Sequence, residues 1–200
     1  KVTDRGEDFG IGILGAAYEL PQATISLEQW ATQAEQSEAF VQRLRESGMN
    51  TVLQAGHIPL EQWAINACKK ALNVSRVAAK DIDLVLYFHT LASSVPHCGQ
   101  SIIARLKNKL GMSRAKGFAI AQQNCVSYLA ALDASSALVK AYENISHILI
   151  VGADIVLDES YRPIESIGIQ NDGSAAAVIG TRAKRHRLLG MALTTYGEYY

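Results

Sequence analysis

Gly117–Val139 reads GFAIAQQNCVSYLAALDASSALV and sets a cysteine between two stretches of different character. Gly117–Ala121 is short and apolar, the pattern of a buried strand, and Val126–Tyr142 is dense in Ala and Leu, the pattern of a helix. Cys125 therefore stands at a strand-to-helix junction, with its thiol at a helix N-terminus. Unsatisfied amides and the macrodipole stabilise a thiolate there, lowering a thiol that titrates near ~8.5 when free by about one unit or more. The small residues of the helix permit close packing at the centre of a fold. The same residues also admit a plainer reading, a buried structural cysteine. Cys68 and Cys98 follow no buried strand and read as structural.

Outward from this stretch, strands and helices alternate. Phe9–Ala17 (FGIGILGAA), which leads to the turn-forming Pro21, reads as a first buried strand. Asp83–Thr90, His147–Ala153 (HILIVGA), Ser174–Gly180 and Leu188–Thr195 predict further strands. Ser26–Ser47 predicts one helix, with Gly48 past its end. Pro59–Leu72 predicts another, with Pro59 in the first turn and Trp63, Ala67 and Ala71 on one stripe. Gly99–Leu110 reads as an amphipathic helix stopped by Gly111. Such alternation implies an α/β fold: a mostly parallel sheet with helices on both faces, its strands apolar almost throughout.

Composition narrows the function. The 200 residues are 48% hydrophobic and 19% charged, enough for a sizeable core and unlike a disordered chain. Lys+Arg 19 balances Asp+Glu 19, which argues against a nucleic-acid binder, whose affinity rests on neutralising phosphates. No apolar run nears the ~18 residues a membrane span needs, and His147–Leu157 is interrupted by Gly152 and Asp154. Lys1–Phe9 is charged and precedes no long apolar core, unlike a secretory signal. Three cysteines without CxxC spacing fit reduced thiols, so a cytoplasmic location is expected.

Three motifs, taken with the order of elements, resemble the thiolase superfamily and, within it, ketoacyl-ACP synthase III and its relatives. GIGILGAAYELP (Gly10–Pro21) is similar to the family's opening strand and the turn after it. The Cys125 elbow stands where the family carries its acyl-accepting cysteine. NDGSAAAVIG (Asn171–Gly180) is similar to its Gly-Asp-Gly-Ala strand start, and VGAD (Val151–Asp154) matches the strand running into it. The resemblance covers essentially the whole chain and the N-terminal half of the family's length. It implies a thiolase-like fold with a five-stranded, mostly parallel sheet, the first of two βαβαβαββ halves. Residues 1–8 would be an N-terminal extension, 9–182 the half itself, and 183–200 the start of a connection to a second half. The implied sheet order is 3-2-1-4-5, counting core strands in sequence. That order leaves Gly117–Ala121 at an edge, free to pair with its own copy in a homodimer.

The resemblance also implies a chemistry. Cys125 would take an acyl group from a CoA or carrier-protein thioester and pass it to a second substrate, usually a malonyl-carrier protein whose decarboxylation yields a carbon nucleophile. No cofactor or metal is called for; acyl-carrier protein is the implied partner, with neither nucleic acid nor membrane. The backbone amide of Cys125 would give one oxyanion donor, and the second half a histidine, an asparagine and a Gly-rich loop. His89 and His97 flank the turn after the second core strand, where each is either near the pocket or simply packed. Asp172, Gly173 and Asp154 read as turn-forming and capping residues. Asn124 and Ser127 stand where the family has small residues; Ser127 is either the floor of an acyl pocket or a helix cap. Val95 stands where fatty-acid members place a Phe bordering the acyl tunnel. Gln42–His57 contains Arg43 and Arg45 but no Trp to stack on adenine, which favours a carrier-protein donor and a specialised pathway. Two other readings stay open: a catalytically silent thiolase-fold subunit supporting an active partner, and a redox or structural cysteine protein.

Overall fold

A computed structural model of the chain describes residues 9–91, 101–164, 168–194 and 196. In chain order its elements are β1 (Gly12–Glu19), β2 (Thr24–Ser26), α1 (Leu27–Gln33), α2 (Glu38–Glu46), β3 (Thr51–Leu53), α3 (Leu60–Ser75), β4 (Leu84–Phe88), α4 (Ile102–Leu110), β5 (Lys116–Ile120), α5 (Ser127–Ala141), β6 (His147–Asp154), β7 (Pro163–Ile164), β8 (Gly168–Ile169) and β9 (Gly173–Gly180). Five strands form one sheet in the order β1-β9-β6-β4-β5. β4 runs parallel to both β5 and β6, whereas β9 is antiparallel to β6 and to β1, so β9 alone opposes the common direction.

This order corrects the expected 3-2-1-4-5. The first strand lies at an edge against β9, not at the centre, and β6 takes the place beside β4. Burial explains the difference: β6 is sealed from Ile148 to Ala153, which demands neighbours on both sides and cover on both faces, whereas β1 is only partly buried. β5 is the opposite edge, as expected, but residues 116–119 are exposed, so it is not the buried strand its apolar residues suggest: it has a neighbour on one side only.

Period-two alternation splits the strands between two cores. Val85, Tyr87, Leu149 and Val151 meet Ala64, Ala67, Cys68 and Ala71 of α3 and Leu106 of α4. Leu84, Leu86, Ile148 and Ile150 face the other way, toward Ala131 and Leu132 of α5. α3 approaches β1 so closely that a Cβ at Gly15 would stand 2.5 Å from the backbone nitrogen of Ser75.

Two further expectations are corrected. Ser26–Ser47 is two helices, because Glu35 adopts φ 50° and the Ser37 side chain accepts from Phe40 N–H, capping α2 as a new start. α1 and α2 pack with β3 into a third core around Leu27, Trp30, Phe40, Leu44 and Val52. Leu188–Thr195 forms no strand over residues 188–194. The chain meets β1 through the single bridge between Gly12 and Arg187 and the bond from Leu188 N–H to Ile11 O, after which Leu189 is 83% exposed. An apolar run without a second partner strand has no ladder to join.

Candidate active site

β5 ends at Ile120, and the chain turns through Gln122 and Asn124, non-glycine residues with φ 65° and 46°. Such left-handed conformations are costly and persist where the surroundings enforce them. A single 3-10 turn, Asn124–Val126, then leads into α5. Cys125 is exposed on this turn, and no side chain caps the first turn of α5. Cys68, by contrast, is fully buried in the α3 core, where burial pushes its thiol pKa up. A reagent in solvent therefore meets Cys125 and not Cys68.

Ser127 is fully buried. Its hydroxyl donates to Asn124 O at 2.7 Å and lies 3.4 Å from His89 O. Ser127 thus does not cap the helix by accepting an amide; its hydroxyl closes the elbow on Asn124 O and packs against the residue that follows β4. Asn124 is exposed beside Cys125. His89 is packed: its ring stacks on Tyr87 with centroids 6.0 Å apart, and Nδ1 lies 2.9 Å from Leu91 O. Tyr87 belongs to the face covered by α3 and α4, so the His89 ring sits across the sheet from α5. Val95, His97 and Cys98 lie outside the described residues.

Asp154, at the end of β6, accepts the Thr90 and Leu91 amides. On the α5 side, Phe88 packs on Tyr128 with ring centroids 5.7 Å apart. Gly152 makes room for that ring, since a Cβ there would lie 2.2 Å from it. Phe88, Tyr128, Ile150, Ala16, Ala175 and Ala177 line an open apolar hollow of about 310 Å³. Tyr18, which also lines it, is 65% exposed, and Val126 and Leu129, flanking Ser127 and Tyr128 in sequence, are 46% and 41% exposed.

A polar network joins the α1–α2 layer to the sheet, with Asp172 capping amides as expected and with Arg162 and Glu159, which the sequence did not single out. Asp172 accepts from Ala55 N–H at 2.7 Å and Val156 N–H at 3.0 Å. Arg162 is buried, lies 3.3 Å from Asp172, and donates to Glu159 at 2.7 and 3.0 Å. The Arg162 bonds hold the Glu159 carboxyl below its usual range, helped by the Trp30 indole N–H. Burial acts against the Arg162 charge, but Glu159 and Asp172 outweigh it and raise its pKa. For Arg162 and Glu159 the Glu159-x-x-Arg162 spacing is the local signal. Arg45 pairs with Glu28 at 3.0 Å, while the Arg43 guanidinium lies over the Phe40 ring. Among the described residues, no group of three His, Cys, Asp or Glu side chains is placed to hold a metal, and no helix is long and apolar enough to cross a membrane.

No protein-family profile matches the chain. It is 25% identical over 193 residues to a beta-ketoacyl-[acyl-carrier-protein] synthase III of Fusobacterium nucleatum, covering 94% of this chain and 56% of that protein. Among solved structures, it superposes on the 3-oxoacyl-[acyl-carrier-protein] synthase III of Aquifex aeolicus with TM-score 0.72 and 18% identity, over 87% of this chain and 54% of that one. The priming beta-ketosynthase of a polyketide biosynthetic pathway gives TM-score 0.71 and 21% identity, covering 85% and 49%. The fold is thiolase-like, and the resemblance to ketoacyl-ACP synthase III is borne out along nearly the whole chain. The chain spans about half the length of the curated relatives it matches.

Proposed function

We propose that this chain is the nucleophile-bearing half of an acyl-transferring condensing enzyme of the ketoacyl-ACP synthase III type. One observation carries the reading: Cys125 is exposed at a strained strand-to-helix elbow in a thiolase-like half. In the proposed reaction the Cys125 thiolate attacks the carbonyl carbon of an acyl thioester. A C–S bond forms to Cys125, the tetrahedral oxyanion collapses, and the donor leaves as its own thiolate. A carbanion released by decarboxylation of a malonyl-carrier protein then attacks the acyl-enzyme. The new C–C bond displaces the Cys125 thiolate, and CO2 is the by-product. The thiol proton and the remaining oxyanion donors are assigned to a second half carrying His and Asn. The open apolar hollow lined by Tyr128 and Phe88 and the exposed Val126 and Leu129 near the elbow favour a covering element.

Carrier-protein donors larger than acetyl are proposed, from the missing Trp in Gln42–His57 and from Val95, as is a specialised biosynthetic role in the cytoplasm. The homodimer through β5 is supported by its place at the sheet edge and by Phe118, 43% exposed on it. Acylation of Cys125 by acyl-carrier protein, abolished by Cys125→Ala, tests the reading. A silent subunit would remain unacylated.

A further inference from the structure

The parallel ladder between β4 and β6 ends at the Phe88–Gly152 pair, and two residues further along, a side chain takes the backbone's place. Asp154 accepts Thr90 N–H with both carboxylate oxygens, at 3.0 and 3.1 Å, and Leu91 N–H at 2.9 Å. Bonds to an ionised acceptor are stronger than the neutral bonds of the ladder they replace. On the other side of the same turn, His89 O lies 3.4 Å from the Ser127 hydroxyl, which is held in turn by Asn124 O at 2.7 Å. The turn is closed internally by His89 Nδ1 against Leu91 O at 2.9 Å. His89–Leu91 is therefore gripped by β6 from one side and rests on the other against buried Ser127, the first residue of α5 and two beyond Cys125. Phe88, immediately before the turn, packs on Tyr128 and lines the apolar hollow. The turn is thus continuous with the strand residue that carries that ring and packs against the start of α5.

We propose that Asp154 is a positioning residue, which fixes the His89–Leu91 turn against the Cys125 elbow and so sets the chain-length selectivity of the Cys125 thiol. The inference rests on the proposed function only in taking Cys125 as the reacting group. A displaced Phe88 changes the apolar surface offered to a chain bound near the thiol, and each methylene gained or lost there alters occupancy about fourfold.

The test is the rate at which Cys125 of the full-length protein is alkylated by N-alkyl iodoacetamides from methyl to decyl, followed by intact mass. The wild type should favour one chain length. Asp154→Ala should lower that preference by about fivefold or more while changing the rate with iodoacetamide itself less than about twofold. Asp154→Asn keeps a carbonyl oxygen for the two amides and should restore most of the profile. Ser127→Ala, which removes the hydroxyl that closes the elbow and packs against the turn, should shift the profile the same way as Asp154→Ala. A folded Asp154→Ala with the wild-type profile overturns the proposal, as does a uniform loss at every length that Asp154→Asn fails to rescue. If Asp154→Ala does not fold, Ser127→Ala decides, and its unchanged profile overturns the proposal. Alkylation needs no thioester chemistry, so a protein that resists acylation yet shows these shifts defeats the proposed function and leaves the positioning role standing.

Discussion

Arg162 and Asp172 form an ion pair at 3.3 Å in which the two side chains are 1% and 3% exposed. Around it, Asp172 takes the Ala55 and Val156 amides, and Arg162 donates to Gln170 O at 2.9 Å and to Glu159. The pair thus fastens the link before α3, the turn after β6 and the start of β9 at one point. Buried pairs add little over well-packed apolar residues, but removing one partner strands a charge. Asp172→Ala should therefore destabilise the protein by about 3–5 kcal/mol in a denaturant titration. A loss below about 1 kcal/mol would show that other contacts hold this junction.

Glu159 makes the junction sensitive to acid. Its pKa is depressed in the folded state by Arg162 and Trp30. Its contribution is then complete above the unfolded value of about 4.3 and is lost as pH falls through the lower folded value. The Trp30 indole donates to Glu159 at 3.0 Å, so Trp30 fluorescence, read in a Trp63→Phe background, should report the step. The emission should hold above about pH 4.5 and change below it. In Glu159→Gln the step should vanish, and a persistent one would assign it to another carboxyl.

The elbow at Cys125 and both apolar faces of the sheet were legible in the sequence, because an apolar strand, a turn and an Ala-rich helix are each local patterns; the exposure of β5 was not, since an apolar run does not state whether it ends at a sheet edge. The order of strands was not, since nothing in residues 9–17 states which distant strand they join. The place of β1 beside β9 follows from partial burial that only the assembled sheet defines. Similarly, Ser37 looked like one more helical position until its cap and the left-handed Glu35 divided the helix. The roles of Arg162 and Asp154 depend on partners that no local pattern names, Asp172 lying across the β7–β8 pair and Thr90 in the turn after β4.

The free edge of β5 gives a third prediction. Phe118 is 43% exposed on that strand, and a charge there should oppose pairing with a second copy. Phe118→Glu should weaken self-association measured by light scattering while leaving the thermal transition in place. An undiminished dimer would move the interface elsewhere.

Val95 tests the proposed donor. Val95→Phe should depress loading by long or branched acyl donors and spare acetyl, with each excluded methylene worth about fourfold. Loading rates across a donor series, run with CoA and carrier-protein forms in parallel, check this. A wild-type preference for acetyl-CoA, unchanged by the substitution, would contradict both the donor and the pocket.

The account depends most on Cys125 as an acyl acceptor. Incubating the full-length protein with acyl-carrier-protein and acyl-CoA donors, then mapping the adduct by peptide mass spectrometry, measures this directly. One acyl group should appear on the peptide containing Cys125, with Cys68 unmodified, and it should disappear in Cys125→Ala. No adduct on the wild type, or an adduct that persists in Cys125→Ala, would contradict the account.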